Sequence, residues 1–355
     1  MSSPSEWHIT MSDFSARVHN PIRHIADATK PSTSTKPQIK LSMGDPTLDG
    51  HLKPSAEMVE SVRAAALSHK HDGYQPVVGT AESREAVAEY WKRFLTSDAT
   101  RQHILAENVS LTSGGSHAIA VAVAAICNPG DNILVPAPGF PTYGTACRAY
   151  GVEIRFYHLH PERGWEADVE EIEALKDDRT RLLVMTNPSN PCGSNYSRKH
   201  VEEMVAVSEK LRVPLLSDEI YAGIVFQNES NPHKEFVSVA DIESTSVRLV
   251  LGGTAKQFTV PGWRVAWLLL VDPLKVAGAY LEGILAQCTL VLGPASLVQH
   301  SLTALSPLPN RTPTTSPKSS TTPLICSIKR SMKRRCGPTT APLSSVRASR
   351  RGPCM

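Results

Sequence analysis

A lysine closes the glycine-rich stretch Gly252-Gly253-Thr254-Ala255-Lys256, and an arginine stands eight positions further on, in Gly262-Trp263-Arg264. The two side chains suit two halves of one task. A lysine amine condenses with an aldehyde, and a guanidinium holds a phosphate through paired N–H donors. A ligand that needs both is pyridoxal 5'-phosphate. Taken alone, the pair reads more simply as two solvated surface charges. The weight therefore rests on what else the chain carries, and in what order.

Ser113-Gly114-Gly115-Ser116-His117 lies between an apolar run and an Ala/Val-rich helical stretch that ends near Cys127. Free N–H groups at a helix N-terminus attract phosphate, and glycines let it approach the backbone. By itself the segment reads equally as a plain strand-to-helix turn. Asp218 and Tyr221, in Ser217-Asp218-Glu219-Ile220-Tyr221, follow the apolar run Pro214–Leu216. A buried carboxylate there can keep a pyridine nitrogen protonated, so that the ring accepts electrons from a carbanion. Tyr221 can hydrogen-bond the ring's oxygen. Asn190 stands in Asn187-Pro188-Ser189-Asn190-Pro191-Cys192-Gly193, where two Asn-Pro steps bias the backbone to an extended, sharply turned path aimed at the same oxygen. Phe140 follows another strand-like run and can stack on the ring face; the alternatives are an ordinary core aromatic for Phe140 and capping or turn roles for the Asp and Asn.

The elements that must position these residues are short apolar runs alternating with helical ones. Strands are expected at Ile133–Val135, Leu182–Met185, Pro214–Leu216, Arg248–Leu251 and Arg264–Leu270. Helices are expected at Pro54–Ser68, Glu82–Phe94, Ser116–Cys127, Pro141–Tyr150, Val169–Leu175 and Lys199–Leu211. In the first helix Met58, Val59, Val62 and Ala66 are expected to form the apolar face. Such alternation implies an α/β fold around a mostly parallel mixed sheet, with ligands at the strands' C-terminal ends.

Composition narrows the field. The longest apolar runs, Ala118–Cys127 and Val265–Val271, are too short to cross a bilayer. Seven cysteines without regular spacing argue for free thiols in a reducing compartment rather than a disulfide frame or a metal site. A cytoplasmic location is expected, with a mitochondrial address as the alternative, weakened by Glu6, Asp13 and Asp27. The net charge of +3 misleads: residues 307–355 hold ten Lys/Arg and no Asp or Glu, leaving the body with 27 basic against 34 acidic groups. The body is mildly acidic, so neither nucleic acid nor membrane is an expected partner.

In their order, Gly44-Asp45-Pro46-Thr47, Gly73-Tyr74, Ser113–Ser116, Pro138-Gly139-Phe140-Pro141-Thr142-Tyr143, Asn187–Gly193, Ser217–Tyr221, Gly252–Lys256 and Pro261–Arg264 form a set that resembles the fold-type I, class I pyridoxal phosphate-dependent aminotransferases, most like their tyrosine aminotransferase branch. The resemblance covers residues 17–305. It implies that Lys256 condenses with the cofactor and later shuttles a proton. Asp218 would pair with the ring nitrogen, Tyr221 and Asn190 would hold the ring oxygen, and Phe140 would stack on the ring. Ser113, Gly114, Gly115 and Arg264 would hold the phosphate. Tyr74 would reach the cofactor of a partner subunit, implying a homodimer, while Gly44 and Asn190 would lie near the substrate. The activity implied is transfer of the α-amino group from an aromatic or broad range of L-amino acids to a 2-oxo acid. The alternatives within the resemblance are a carbon–sulfur lyase and a cofactor-binding protein without turnover.

The expected organisation is a flexible arm over residues 1–36, the start of a small domain over 37–54, a large cofactor-binding domain over 55–305 and a basic, disordered tail over 306–355. The resemblance ends where the tail begins. The composition shift there, to eight prolines and no aromatic residue, reads as a shifted reading frame or a divergent copy. The family clamps the substrate carboxylate with an arginine from that region. Arg347, Arg350 and Arg351 do not sit in a matching context, and none is assigned that role.

Overall fold

The computed structural model describes residues 7, 9–28, 33, 35, 36, 44, 45, 47, 52–225 and 235–305. The basic tail, and the greater part of the segment expected to start the small domain, lie outside the described residues.

The strands are β1 (Val109–Thr112), β2 (Asn132–Ala137), β3 (Glu153–His160), β4 (Glu166–Ala167), β5 (Thr180–Thr186), β6 (Leu215–Asp218), β7 (Arg248–Gly253) and β8 (Ala266–Val271). They form one sheet in the order β1-β8-β7-β6-β5-β2-β3-β4. The central block β3-β2-β5-β6-β7 is parallel, while β8 runs antiparallel to both β7 and β1, and β4 antiparallel to β3. β5, β6 and β7 read as near-continuous apolar runs because helices cover both faces, as parallel strands require. Alternate residues divide between two cores. Leu183, Met185, Leu215, Val250 and Trp267 face one side, and Leu182, Val184, Leu216, Leu249 and Leu268 the other.

The helices in chain order are α1 (Asp13–Arg17), α2 (Pro21–Ala28), α3 (Ala56–Ser68), α4 (Ala81–Lys92), α5 (Asp98–Arg101), α6 (Gly115–Ala124), α7 (Thr142–Tyr150), α8 (Val169–Leu175), α9 (Arg198–Leu211), α10 (Thr254–Gln257), α11 (Gly278–Cys288) and α12 (Ser296–Gln299). Among these, α4 and α9 pack in the first core through Trp91, Val201 and Met204. The second core takes α6, α7 and α11 through Ile119, Tyr143 and Ile284. Side-chain caps start several of them: Ser55 accepts from the N–H of Met58, Thr80 from Ser83 and Ser197 from His200.

Several expectations need correction. In α3 the buried residues are Met58 and Ala65, flanked by half-buried Ser61 and Val62, whereas Val59 and Ala66 are exposed. Residues seven apart share a face, so the stripe runs one residue away from the apolar pair that hydropathy favours. Pro54 precedes the Ser55 cap and lies outside the helix. β8 begins at Ala266, because Arg264 has φ 56° and closes the turn Pro261–Trp263. Strand β3 and helix α11 were not expected. β3 alternates charged or histidine residues with apolar ones and is only partly buried, which hides it from a search for apolar runs. Within residues 1–36, α1 and α2 form and the segment meets α7: Thr145 Oγ1 and Arg148 Nη2 donate to the His19 carbonyl at 2.9 and 3.0 Å, and Phe14 meets Tyr150 edge-on at 5.8 Å.

One close approach near the end of β7 is tight enough to test. Gly252 pairs with Trp267, and a Cβ at Gly252 would overlap the fully buried indole. Gly252→Ala is expected to destabilise the fold by about 1–3 kcal/mol through overpacking, read as a lowered midpoint in urea with an unchanged slope.

Candidate functional site

Successive parallel strands deliver the chemical residues to one edge of the sheet. Phe140 comes after β2, Asn190 after β5, Asp218 ends β6 with Tyr221 beyond it, and Lys256 sits in α10 directly after β7. The chain reverses its direction of winding between β2 and β5, and a crevice forms at such a point outside the carboxyl ends of the strands. Here it is a cavity of about 210 Å³, lined by Gly115, Ser116, Ile119, Phe140, Thr186, Asn190, Asp218, Ile220, Tyr221, Leu251, Ala255, Lys256, Pro261 and Arg264. A larger cleft of about 470 Å³ beside Thr96, Arg198 and Asp241 lies elsewhere and holds no lysine. The smaller cavity is the chemical one, because among the described residues nucleophile, carboxylate, aromatic face and helix N-terminus converge there.

Lys256 Nζ donates to the Gly44 carbonyl at 2.8 Å and lies 5.8 Å from the centre of the Tyr221 ring. Burial pushes its pKa below the ordinary lysine value, with Asp45 partly opposing. More of the free amine is therefore available than on a solvated lysine.

Asp218 is buried, and among the described residues no cationic side chain hydrogen-bonds to it. Its Oδ2 accepts from the Tyr143 hydroxyl at 3.1 Å and its Oδ1 from the Ile220 N–H at 3.3 Å. Burial raises its pKa to about 6, against the pull of these two donors. Its neighbour Glu219 is also buried and is pushed up to about 7 for the same reason. Ser217 Oγ, Ser238 Oγ and the Val239 N–H donate to Glu219 at 2.9, 2.6 and 2.9 Å, tying the end of β6 to the segment behind it. Asn187 fixes the start of the Asn190 loop: its Nδ2 donates to the Val237 carbonyl at 3.1 Å and its Oδ1 accepts from the Tyr196 N–H at 3.0 Å. The loop is thus held from both ends, and its Asn187–Pro188 and Asn190–Pro191 peptides are cis.

At the other end of the cavity α6 begins at Gly115, after Gly114 with φ 87°. The positive φ of Gly114 favours glycine there, and a Cβ would push the Arg264 guanidinium out of its present place. Arg264 Nη2 donates to the Ser113 carbonyl at 3.3 Å and Nη1 to the Pro261 carbonyl at 3.1 Å, which sets the guanidinium at the mouth of the helix N-terminus.

Of the residues singled out in the sequence, Gly115, Phe140, Asn190, Asp218, Tyr221, Lys256 and Arg264 line the cavity. Gly44 joins them through its contact with Lys256, and Gly114 through its packing against Arg264. Ser113 differs: its hydroxyl donates to the Gly293 carbonyl at 3.0 Å and its N–H to His117 Nδ1 at 3.1 Å, so Ser116 takes the place at the cavity wall. Tyr74 is 95 % exposed and does not line this chain's cavity. Sequence reasoning missed Tyr143, Thr186 and Ser116 as site residues. Tyr143 and Ser116 stood inside motifs already noted. Thr186 carried no signal, since only strand pairing sets it beside Asp218.

The residues fit pyridoxal phosphate. An amine stands ready for an aldehyde, and a buried carboxylate lacks the cation that a protonated ring nitrogen would supply. An aromatic flanks the cavity, and free helix N–H groups meet an arginine at the end suited to phosphate. The buried hydroxyl of Thr186, on the wall, lacks a hydrogen-bond partner among the described residues, as expected of a site shaped for a polar ligand.

Comparison with known proteins agrees with the geometry. Residues 36–312 match the family described as aminotransferase class I and II. Tyrosine aminotransferase from Bos taurus is 39 % identical over 86 % of this chain and 66 % of its own length; that from Homo sapiens is 37 % identical over 85 % and 64 %. The crystal structure of tyrosine aminotransferase from Leishmania infantum superposes with a TM-score of 0.80 at 41 % identity, covering 84 % of this chain and 72 % of that one. The chain thus spans just under two thirds of the length of these curated relatives.

Proposed function

Because this chain belongs to the aminotransferase class I and II family, we propose that it transfers the α-amino group of an aromatic L-amino acid to a 2-oxo acid, using pyridoxal phosphate held in the cavity at Lys256. The observation that carries the reading is the convergence of Lys256, Asp218, Phe140 and the α6 N-terminus on one cavity. Aromatic donors are favoured by the likeness to tyrosine aminotransferases.

When bound, the cofactor supplies an aldehyde for the amino group and a ring that takes up the electron pair left as the Cα–H bond breaks. The chain's residues do the rest. Lys256 Nζ, its pKa lowered by burial, would hold the cofactor through its aldehyde and, once freed by the substrate amine, would carry the Cα proton. Asp218 would pair with the ring nitrogen and keep it protonated. Tyr221 and Asn190 would hold the ring oxygen, Phe140 would pack on the ring, and Gly114, Gly115, Ser116 and Arg264 would hold the phosphate.

Tyr143 is a positioning residue in this scheme, acting through Asp218. Without its hydroxyl the carboxylate loses a donor that favours the ion, so its pKa rises further above about 6. In Tyr143→Phe the pH at which cofactor affinity falls off on the acid side is expected to move up by about 1–2 units. Equilibrium binding across pH reads this directly, and an unmoved midpoint would remove Tyr143 from the scheme.

The described residues contain no helix long and apolar enough to cross a membrane. The four described cysteines are free, which supports placing the chain in the cytoplasm. We also propose a homodimer in which the exposed Tyr74 reaches the partner's cofactor phosphate, and a cofactor-binding domain spanning residues 55–305, with residues 37–54 beginning a second domain.

The test is borohydride reduction of the chain loaded with cofactor, then peptide mapping, beside a screen of amino donors with a 2-oxo acid. A reduced adduct on Lys256 and transfer from tyrosine or phenylalanine are expected. Ammonia and pyruvate released without an acceptor would point to a lyase instead, and an adduct on another residue would sink the reading.

A further inference from the structure

Thr186 closes β5 and contributes to the cavity wall with Phe140, Asn190 and Asp218. The residue is 2 % exposed, and its hydroxyl is buried with no hydrogen-bond partner among the described residues. Buried hydroxyls are nearly always partnered, and leaving one without a partner is unfavourable. Strand pairing explains how the group comes to be there. β5 runs parallel to β6 with Thr186 level with Asp218, so both side chains leave the same face of the sheet. Asp218 has acceptor capacity to spare, but the donors on its oxygens are Tyr143 and the Ile220 N–H, and the Thr186 hydroxyl is not among them. Rotation about χ1 is what redirects a threonine hydroxyl.

We propose that Thr186 is a cofactor contact, its hydroxyl donating to the ring oxygen of pyridoxal phosphate beside Asn190. The inference rests on the cofactor reading above and extends it to a residue that no motif marks. The polar groups of the ligand leave little choice of partner. Phosphate belongs at the α6 end, with Gly115, Ser116 and Arg264. The protonated ring nitrogen is a donor and belongs to Asp218. The ring oxygen remains, an acceptor on the same edge of the ring as the nitrogen, and Thr186 stands level with Asp218.

Thr186→Val keeps the branched shape and deletes the hydroxyl, and the two states of the protein should respond in opposite senses. Without cofactor the variant loses only an unpaired polar group, so its thermal midpoint is expected to equal or exceed that of the native chain. With cofactor it lacks a bond to a charged acceptor, so the dissociation constant, read by equilibrium dialysis, is expected to rise about 10-fold or more. Thr186→Ser, which keeps the donor, should stay nearer to native affinity than the valine variant. An analogue of the cofactor lacking the ring oxygen should bind native and valine chains alike. A valine variant that binds pyridoxal phosphate as tightly as the native chain would overturn the assignment, as would a lower midpoint without cofactor or an analogue that still separates the two. If the native chain still gives the Lys256 adduct, only the Thr186 assignment falls; if the native chain gives no adduct, the cofactor reading falls with it.

Discussion

Lys256→Ala is expected to leave a folded chain that gives no borohydride-reduced adduct and transfers amino groups at least about 1,000-fold more slowly. Two functions end with one amine. The side chain is both the group that binds the aldehyde and the carrier of the Cα proton, and a positioned proton carrier alone is worth roughly 10²–10⁴ in rate. The fold should tolerate the loss, because the ammonium's recorded hydrogen bond is to the Gly44 carbonyl, and burial already disfavours its charge. The check is mass spectrometry of the reduced protein, single-turnover kinetics and a thermal melt. An adduct that survives the substitution would show that the aldehyde binds elsewhere.

Asp218→Asn is expected to separate stability from activity. Burial raises the Asp218 pKa from 3.8 to about 6, and Glu219 from 4.5 to about 7. Between these limits the folded chain holds protons that the unfolded chain has released, so stability without cofactor is greatest at the acid end. It falls as pH rises from about 4 to about 7. At pH 7.5 both carboxylates are buried ions, and the asparagine variant removes one. Its gain without cofactor is expected to be about 2–3 kcal/mol at that pH and to vanish toward pH 4. With cofactor the sign reverses. The carboxylate that the protonated ring nitrogen would neutralise is gone, and amino transfer should drop by at least about 100-fold, on the scale of losing one placed electrostatic partner. Denaturation with and without cofactor at pH 5 and 7.5, beside turnover, reads all of this. A variant that transfers at the native rate would break the link between Asp218 and the ring.

The local chemistry of this protein is legible along the chain. Lys256 after paired glycines, Gly114-Gly115 ahead of an Ala/Val-rich helix and Asp218 closing an apolar run each announce a role, because each depends on its nearest neighbours in sequence. The alternation of apolar runs and helices also announces the α/β sheet, since parallel strands covered on both faces must be apolar throughout. Contacts between distant segments are another matter. Tyr143, in α7, meets Asp218, at the end of β6, across 75 positions, and Ser113 turns from the cavity to a carbonyl 180 positions away. Thr186 becomes a wall residue only through its register with Asp218. The buried stripe of α3 likewise follows its packing on residues 300–305 rather than its own hydropathy. A sequence states which groups are present and what their neighbours favour. Which of them share a cavity is decided by strand order and helix packing, where one core must satisfy every segment at once.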